Sequence, residues 1–141
     1  MNLKIEEIFV ENFIVKEYKS RVLYELNSSK KREKALSRFS HEAINILQPE
    51  RIVLKSHQLS YNDVKNYLSG NESCYIIGGN IDKSIKKIKN CFDECINNPL
   101  SLVIICENGL VIVKEELTLG SPMKYVMYFE NRNLKHLMCF T

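Results

Sequence analysis

The segment LSLVIICENGLVIVK, residues 100–114, decides the fold. Two apolar, β-branched runs, Leu100 to Cys106 and Leu110 to Lys114, flank Asn108-Gly109, a strong short-range hairpin signal. The spacing predicts an antiparallel pair joined by a type I′ turn, which needs positive φ at both Asn108 and Gly109. A third run, Lys124 to Phe129, follows the Gly120-Ser121-Pro122 turn and is apolar on both faces, so it reads as a covered strand returning to the sheet.

Upstream of the hairpin the pattern alternates between periods of two and of 3.6 residues. Arg51 to Lys55 is a short β-branched run, Asn62 to Leu68 suggests a short helix closed by Gly70, and Cys74 to Ile77 is a strand stopped by Gly78-Gly79. Asn80 or Asp82 is placed to cap a helix whose Ile81, Ile85, Ile88, Phe92 and Ile96 form an apolar stripe, with Asn97, Asn98 and Pro99 ending it. Before Pro49 the chain reads as helical. Val15, Tyr18, Val22 and Leu26 recur at helical spacing, Asn27 to Ser29 interrupt them, and a second helix is expected from about Lys30 to Leu47. The expectation is one α+β domain over 1–141. An N-terminal helical hairpin fills 1–48, and βαβαβββ over 49–141 forms one mixed sheet with helices packed on it. The apolar tail from Leu134 to Phe140 is expected to dock.

Composition supports a single folded domain. At 16.5 kDa, 141 residues with 45% apolar and 26% charged side chains bury about 68% of the unfolded chain's area, enough for a core without disulfides or metal. The apolar runs are strand length, far short of the roughly 20 residues that span a bilayer. Glu6, Glu7 and Glu11 interrupt the first fifteen residues, which is wrong for a signal peptide, so a cytoplasmic location is expected. The cysteines, Cys74, Cys91, Cys95, Cys106 and Cys139, are odd in number and sit mostly in apolar segments, as reduced buried thiols do.

Phe13-Ile14, Tyr18 to Arg21, Leu23 to Leu26, Lys31 to Leu36 and Phe39-Ser40-His41 together resemble the start of a group of small bacterial proteins to which no activity is assigned. The resemblance implies a basic helical pair ending in a Leu/Phe-Ser-His-like motif, then a Tyr-Val-Ile-Ser-like strand, here Cys74 to Gly78. It further implies a C-terminal hairpin with a carboxylate, here Glu115-Glu116. The loop that would follow the strand differs: Gly79-Asn80-Ile81-Asp82 offers only Asp82 as a counterpart. The likeness implies the fold and a bacterial origin and brings no activity with it.

Charge is distributed unevenly. The net charge is +3, yet Lys16 to Arg38 holds eight Lys or Arg against three Glu. Lys31, Lys34 and Arg38 form a helical ridge joined by Lys30, and Tyr24 is expected to face away from its helix's apolar stripe. Such a face either meets phosphates or an acidic protein surface, or simply keeps the helices wet.

Arg32 projects onto the apolar side of its helix, where a charge needs a partner: a structural ion pair is expected, or else an anion or carboxylate site between the hairpin and the sheet, with Glu115 or Glu116 as candidates. With His41 and Asp82 these residues compose a possible ligand cleft. His41 as a base would need an orienting carboxylate, and Glu42 is adjacent to it rather than facing it. Cys91 and Cys95 lie one turn apart, which is core packing rather than a metal pair, and no zinc spacing occurs. Gly78-Gly79-Asn80 lacks a phosphate-binding glycine pattern. No catalytic residue, metal or cofactor is assigned.

The leading expectation is therefore a non-catalytic bacterial protein-interaction module, an immunity, defence-associated or regulatory accessory protein whose partner has an acidic surface. The basic charge counts against an inhibitor of a nucleic-acid-cleaving toxin, which would be acidic. An RNA- or DNA-binding accessory protein is the alternative. A small enzyme or ligand-sensing domain built on the cleft is the third reading.

Overall fold

The computed structural model describes residues 2–116 and 120–139, with Asn2, Leu3 and Cys139 as backbone only. Four helices come first: α1 (Asn2–Phe13), α2 (Lys16–Asn27), α3 (Arg32–His41) and α4 (Ala43–Ile46). There follow β1 (Ile52–Ser56), α5 (Tyr61–Val64), β2 (Ser73–Gly78), β3 (Ile85–Lys87), α6 (Ile88–Ile96), β4 (Leu102–Cys106), β5 (Leu110–Lys114), β6 (Lys124–Tyr128) and α7 (Arg132–Cys139). The fold is α+β. Its six strands run in the order β1-β6-β5-β4-β2-β3, and every neighbouring pair is antiparallel.

The expected mixed sheet is therefore corrected to an antiparallel one, and the reason lies at residues 80–87. The stripe read there as helix breaks in two: a 3-10 turn spans Gly79–Ile81, and Ile85–Lys87 pairs with β2 before α6 begins at Ile88. Pairing satisfies the backbone groups that β2 would otherwise leave bare on that side, and Lys86 and Lys87 then charge a short sheet edge. The second N-terminal helix also divides, at Glu42, and residues 2–13 form a helix of their own that packs against α2 and α7. Of the apolar tail, Leu134 and Met138 dock into the core, while Phe140 lies outside the described residues, as does the Cys139 thiol.

Side chains alternate across the central strands, so the sheet carries a core on each face. Tyr75, Ile77, Val103, Ile105, Val111, Val113, Tyr125 and Met127 pack under α1 to α4 and α7. Cys74, Ile76, Leu102, Ile104, Cys106, Ile112 and Val126 pack under α6, against Ile88, Cys91, Phe92, Cys95 and Ile96. Four free thiols, Cys74, Cys91, Cys95 and Cys106, thus belong to one buried layer. In β1 a bulge between Ile52 and Leu54 turns these two residues of like parity to opposite cores.

The β4–β5 turn also differs in type. Gly109 donates its N–H to the Cys106 carbonyl at 3.0 Å, and neither Glu107 nor Asn108 has a positive φ, so this is a three-residue loop rather than a type I′ turn. Of the three loop residues only Gly109, at φ 99°, has a positive φ. A Cβ there would overlap the Phe129 carbonyl oxygen, so glycine is required both by φ and by space.

Candidate functional site

Arg32 stands at the start of α3 and points inward, as helical projection predicts, but its partners are Glu6 and Asp82 rather than Glu115 or Glu116. Nη1 donates to Glu6 Oε1 at 2.9 Å and to the Leu26 carbonyl at 2.8 Å; Nη2 donates to Glu6 Oε2 at 2.7 Å and to Asp82 Oδ1 at 2.9 Å. Nε donates to Asp82 Oδ2 at 2.8 Å. All five guanidinium N–H groups are thereby used. Glu6 Oε2 also accepts the Tyr75 hydroxyl at 2.6 Å, and Asp82 Oδ1 accepts the Gly78 N–H at 2.8 Å.

Burial opposes the charge of Arg32, but the hydrogen bonds to Glu6 and Asp82 outweigh it and hold the guanidinium protonated beyond its usual range. Burial likewise opposes the Asp82 charge, and the Arg32 and Gly78 bonds overcome it, so its pKa falls below that of an ordinary aspartate. Burial together with the bond to Glu6 pushes the Tyr75 hydroxyl well above its usual value. With every donor satisfied, this cluster has the chemistry of a structural clasp, joining α1, the end of α2, α3, β2 and the loop before β3.

The other residues of the expected cleft lie elsewhere. His41 Nε2 is 3.8 Å from Glu116 Oε2, so the carboxylate facing it is Glu116, not Glu42. These two, with Glu33, Leu36, Ser37, Ser40, Gly79, Leu100 and Ser101, line a depression of about 290 Å³ that Arg32, Asp82 and Glu115 do not line. Glu115 is half-buried, and burial raises its pKa. The proposed set thus splits into a saturated internal clasp and an exposed His41–Glu116 pair.

The basic ridge is also redistributed. Arg38 is partly buried and forks onto Glu25, Nε to Oε1 and Nη2 to Oε2, each at 2.9 Å, with Glu42 at 3.7 Å from Nη1. Its bonds hold the Glu25 carboxyl below its usual pKa. Arg38 is therefore a tie between α2 and α3, not a free member of the ridge. Lys19 meets Glu11. Lys16, Arg21, Lys30, Lys31 and Lys34 are exposed and make no ion pair among the described residues. Tyr24 is 61% exposed, facing away from the core as expected.

Three residues with consequences escape the sequence reading: Glu6, Lys114 and Lys124. Glu6 follows the helical spacing of Phe9, Val10 and Phe13 and so belongs to the buried side of α1. Lys114 shares the parity of Leu110 and Ile112, and Lys124 that of Val126, so both face the α6 core. Lys114 is fully buried, and desolvation, followed by the nearby Lys124 charge, lowers its pKa to about 8; desolvation lowers that of Lys124 as well.

No helix of the described residues is long and apolar enough to cross a membrane, and among them no group of three or more His, Cys, Asp or Glu is placed to hold a metal. Comparisons with protein-family models, with curated proteins and with solved structures return no match to this chain.

Replacing Arg32 by Met leaves the Glu6 carboxylate buried without its cation, and urea unfolding should show a loss of about 3–5 kcal/mol; a loss below about 1 kcal/mol would contradict the clasp. Lys114 behaves oppositely. Its folded pKa is depressed, so the cost of burying its charge is fully present below pH 8 and is relieved as pH rises toward its unfolded value. Lys114→Met is therefore expected to be more stable than wild type at pH 7, by on the order of 1–3 kcal/mol, with the advantage shrinking at pH 10. An equal difference at both pH values would refute this assignment.

Proposed function

We propose that the chain is a non-catalytic interaction module that offers its helical hairpin to an acidic surface of another protein. The observation that carries this reading is the unneutralised charge of the hairpin. Arg21, Lys30, Lys31 and Lys34 stay exposed and make no ion pair among the described residues, while Tyr24 stands out on the same unit. Tyr and Arg are the side chains that supply most interface energy, since each presents a large, rather rigid contact area. The Arg32 clasp and the Arg38–Glu25 fork hold the two helices in place, so the face needs little ordering on binding. A bacterial immunity, defence-associated or regulatory setting accords with the residues that resemble small bacterial proteins. A cytoplasmic one accords with free, buried thiols.

The same tyrosine and lysines suit base stacking and phosphate contact, which keeps RNA or DNA as the second reading. A pull-down from native lysate with and without nuclease, at two salt concentrations, separates them. The expected result is a stoichiometric protein that survives nuclease and is lost with the Tyr24→Ala/Lys31→Glu/Lys34→Glu variant. Nucleic acid released by higher salt, with no protein retained, would overturn the leading reading in favour of the second.

A further inference from the structure

Lys114 at the end of β5 and Lys124 at the start of β6 are register partners on the face of the sheet covered by α6. The next pair outward, Glu115 and Met123, shares a backbone hydrogen bond, so the lysines occupy the position where opposed side chains stand closest. Like charges placed directly opposite repel, and these two are also buried, at 0% and 5% exposure. A protein interior normally neutralises such cations with carboxylates.

Here none does. Lys114 Nζ donates to the Leu100 carbonyl at 2.6 Å and to the Glu115 carbonyl at 3.2 Å, and Lys124 Nζ donates to the His57 carbonyl at 2.6 Å. Carbonyl dipoles solvate an ammonium without cancelling its charge. No carboxylate lies within ion-pair distance of either lysine among the described residues; Glu116 attracts Lys114 only at longer range. Beside the pair opens a groove of about 500 Å³ with Lys124 in its wall. The amide of Asn97 and the hydroxyl of Ser121 line it and make no side-chain hydrogen bond among the described residues, and Ile96, Pro99 and Pro122 supply an apolar wall.

Two buried cations of like sign set side by side without a carboxylate are costly to hold, and such costs concentrate where function requires them. From this arrangement we infer that the groove between residues 96–99 and residues 120–124 binds a phosphate group, free or as the monoester of a small organic molecule. Lys124 meets the anion directly, with Asn97 and Ser121 as further donors. Lys114 lies behind and adds its field. An ammonium with one of its three donors engaged, as in Lys124, retains the capacity to accept such a ligand. The volume suits a small organic body, for which Pro99 and Pro122 offer apolar contact.

The test is a thermal-shift and calorimetric titration of the full chain at pH 7 with inorganic phosphate and, separately, phenyl phosphate, with ionic strength held constant by chloride. Both probes should raise the thermal midpoint saturably, and Lys124→Met should weaken binding by about tenfold or more. Lys114→Met should weaken it less while remaining well folded. A Lys31→Gln/Lys34→Gln variant should bind as wild type does, which separates the groove from the helical face. Tighter binding of phenyl phosphate would support the site as one for an organic ester, and equal binding would support it as one for the free ion. No saturable response to either probe, or an unchanged response in folded Lys124→Met, would overturn the assignment.

Discussion

A guanidinium carries five donors in a rigid plane and no acceptor, so burying one is tolerable only where five acceptors converge. In this chain Glu6, Asp82 and the Leu26 carbonyl supply them around Arg32. Their sequence positions span the distance from the first helix to the loop beyond β2, which means that the clasp closes only when the helical layer is already seated on the sheet. Tyr75 and Gly78 extend it into β2. In a buried ionic network desolvation offsets much of the attraction, so breaking it costs more than forming it gains; here its bonds tie α1 and α3 to β2 and the loop beyond it.

Around that clasp the remaining architecture follows from alternation. A six-stranded antiparallel sheet with both faces apolar must be covered twice, and the chain does so with α1 to α4 and α7 on one side and α6 on the other. Cysteine serves as a small hydrophobe in the second layer, where Cys74 and Cys106 face each other across β2 and β4. Against this regular background two places differ in charge. The helical hairpin keeps Lys30, Lys31, Lys34 and Arg21 on the outside, with Arg21 and Lys34 near enough to act on the Glu25 charge but forming no ion pair with it among the described residues. The end of the β5–β6 pair keeps its cations inside, where backbone carbonyls accept their hydrogen bonds.

Much of the fold was legible because period and turn chemistry speak locally. The β4–β5 pair, the covered β6 strand, the breaks at Pro49 and at Gly78-Gly79, and the inward aim of Arg32 all follow from side-chain spacing. What spacing does not carry is pairing. Ile85 fits a helical stripe as well as it fits a strand, and only the unpaired side of β2 decides for the strand. Glu6 breaks an apolar run in a way that is wrong for a signal peptide, yet its role as an acceptor depends on Arg32 and Tyr75, which lie 26 and 69 positions away. Arg38 fits an outward ridge by periodicity, but Glu25 on the neighbouring helix draws it in. Lys114 and Lys124 read as polite strand ends until the antiparallel register sets them side by side on a buried face.

Native-state hydrogen exchange on the Arg32→Lys chain tests the clasp most directly, since lysine keeps the charge but loses the planar fork. Amides of α1 and α3 should lose more protection than those of β4 and β5, the helical layer opening ahead of the sheet. Equal loss in helices and strands, or no loss in either, would contradict the claim that this one side chain fixes the layer in place.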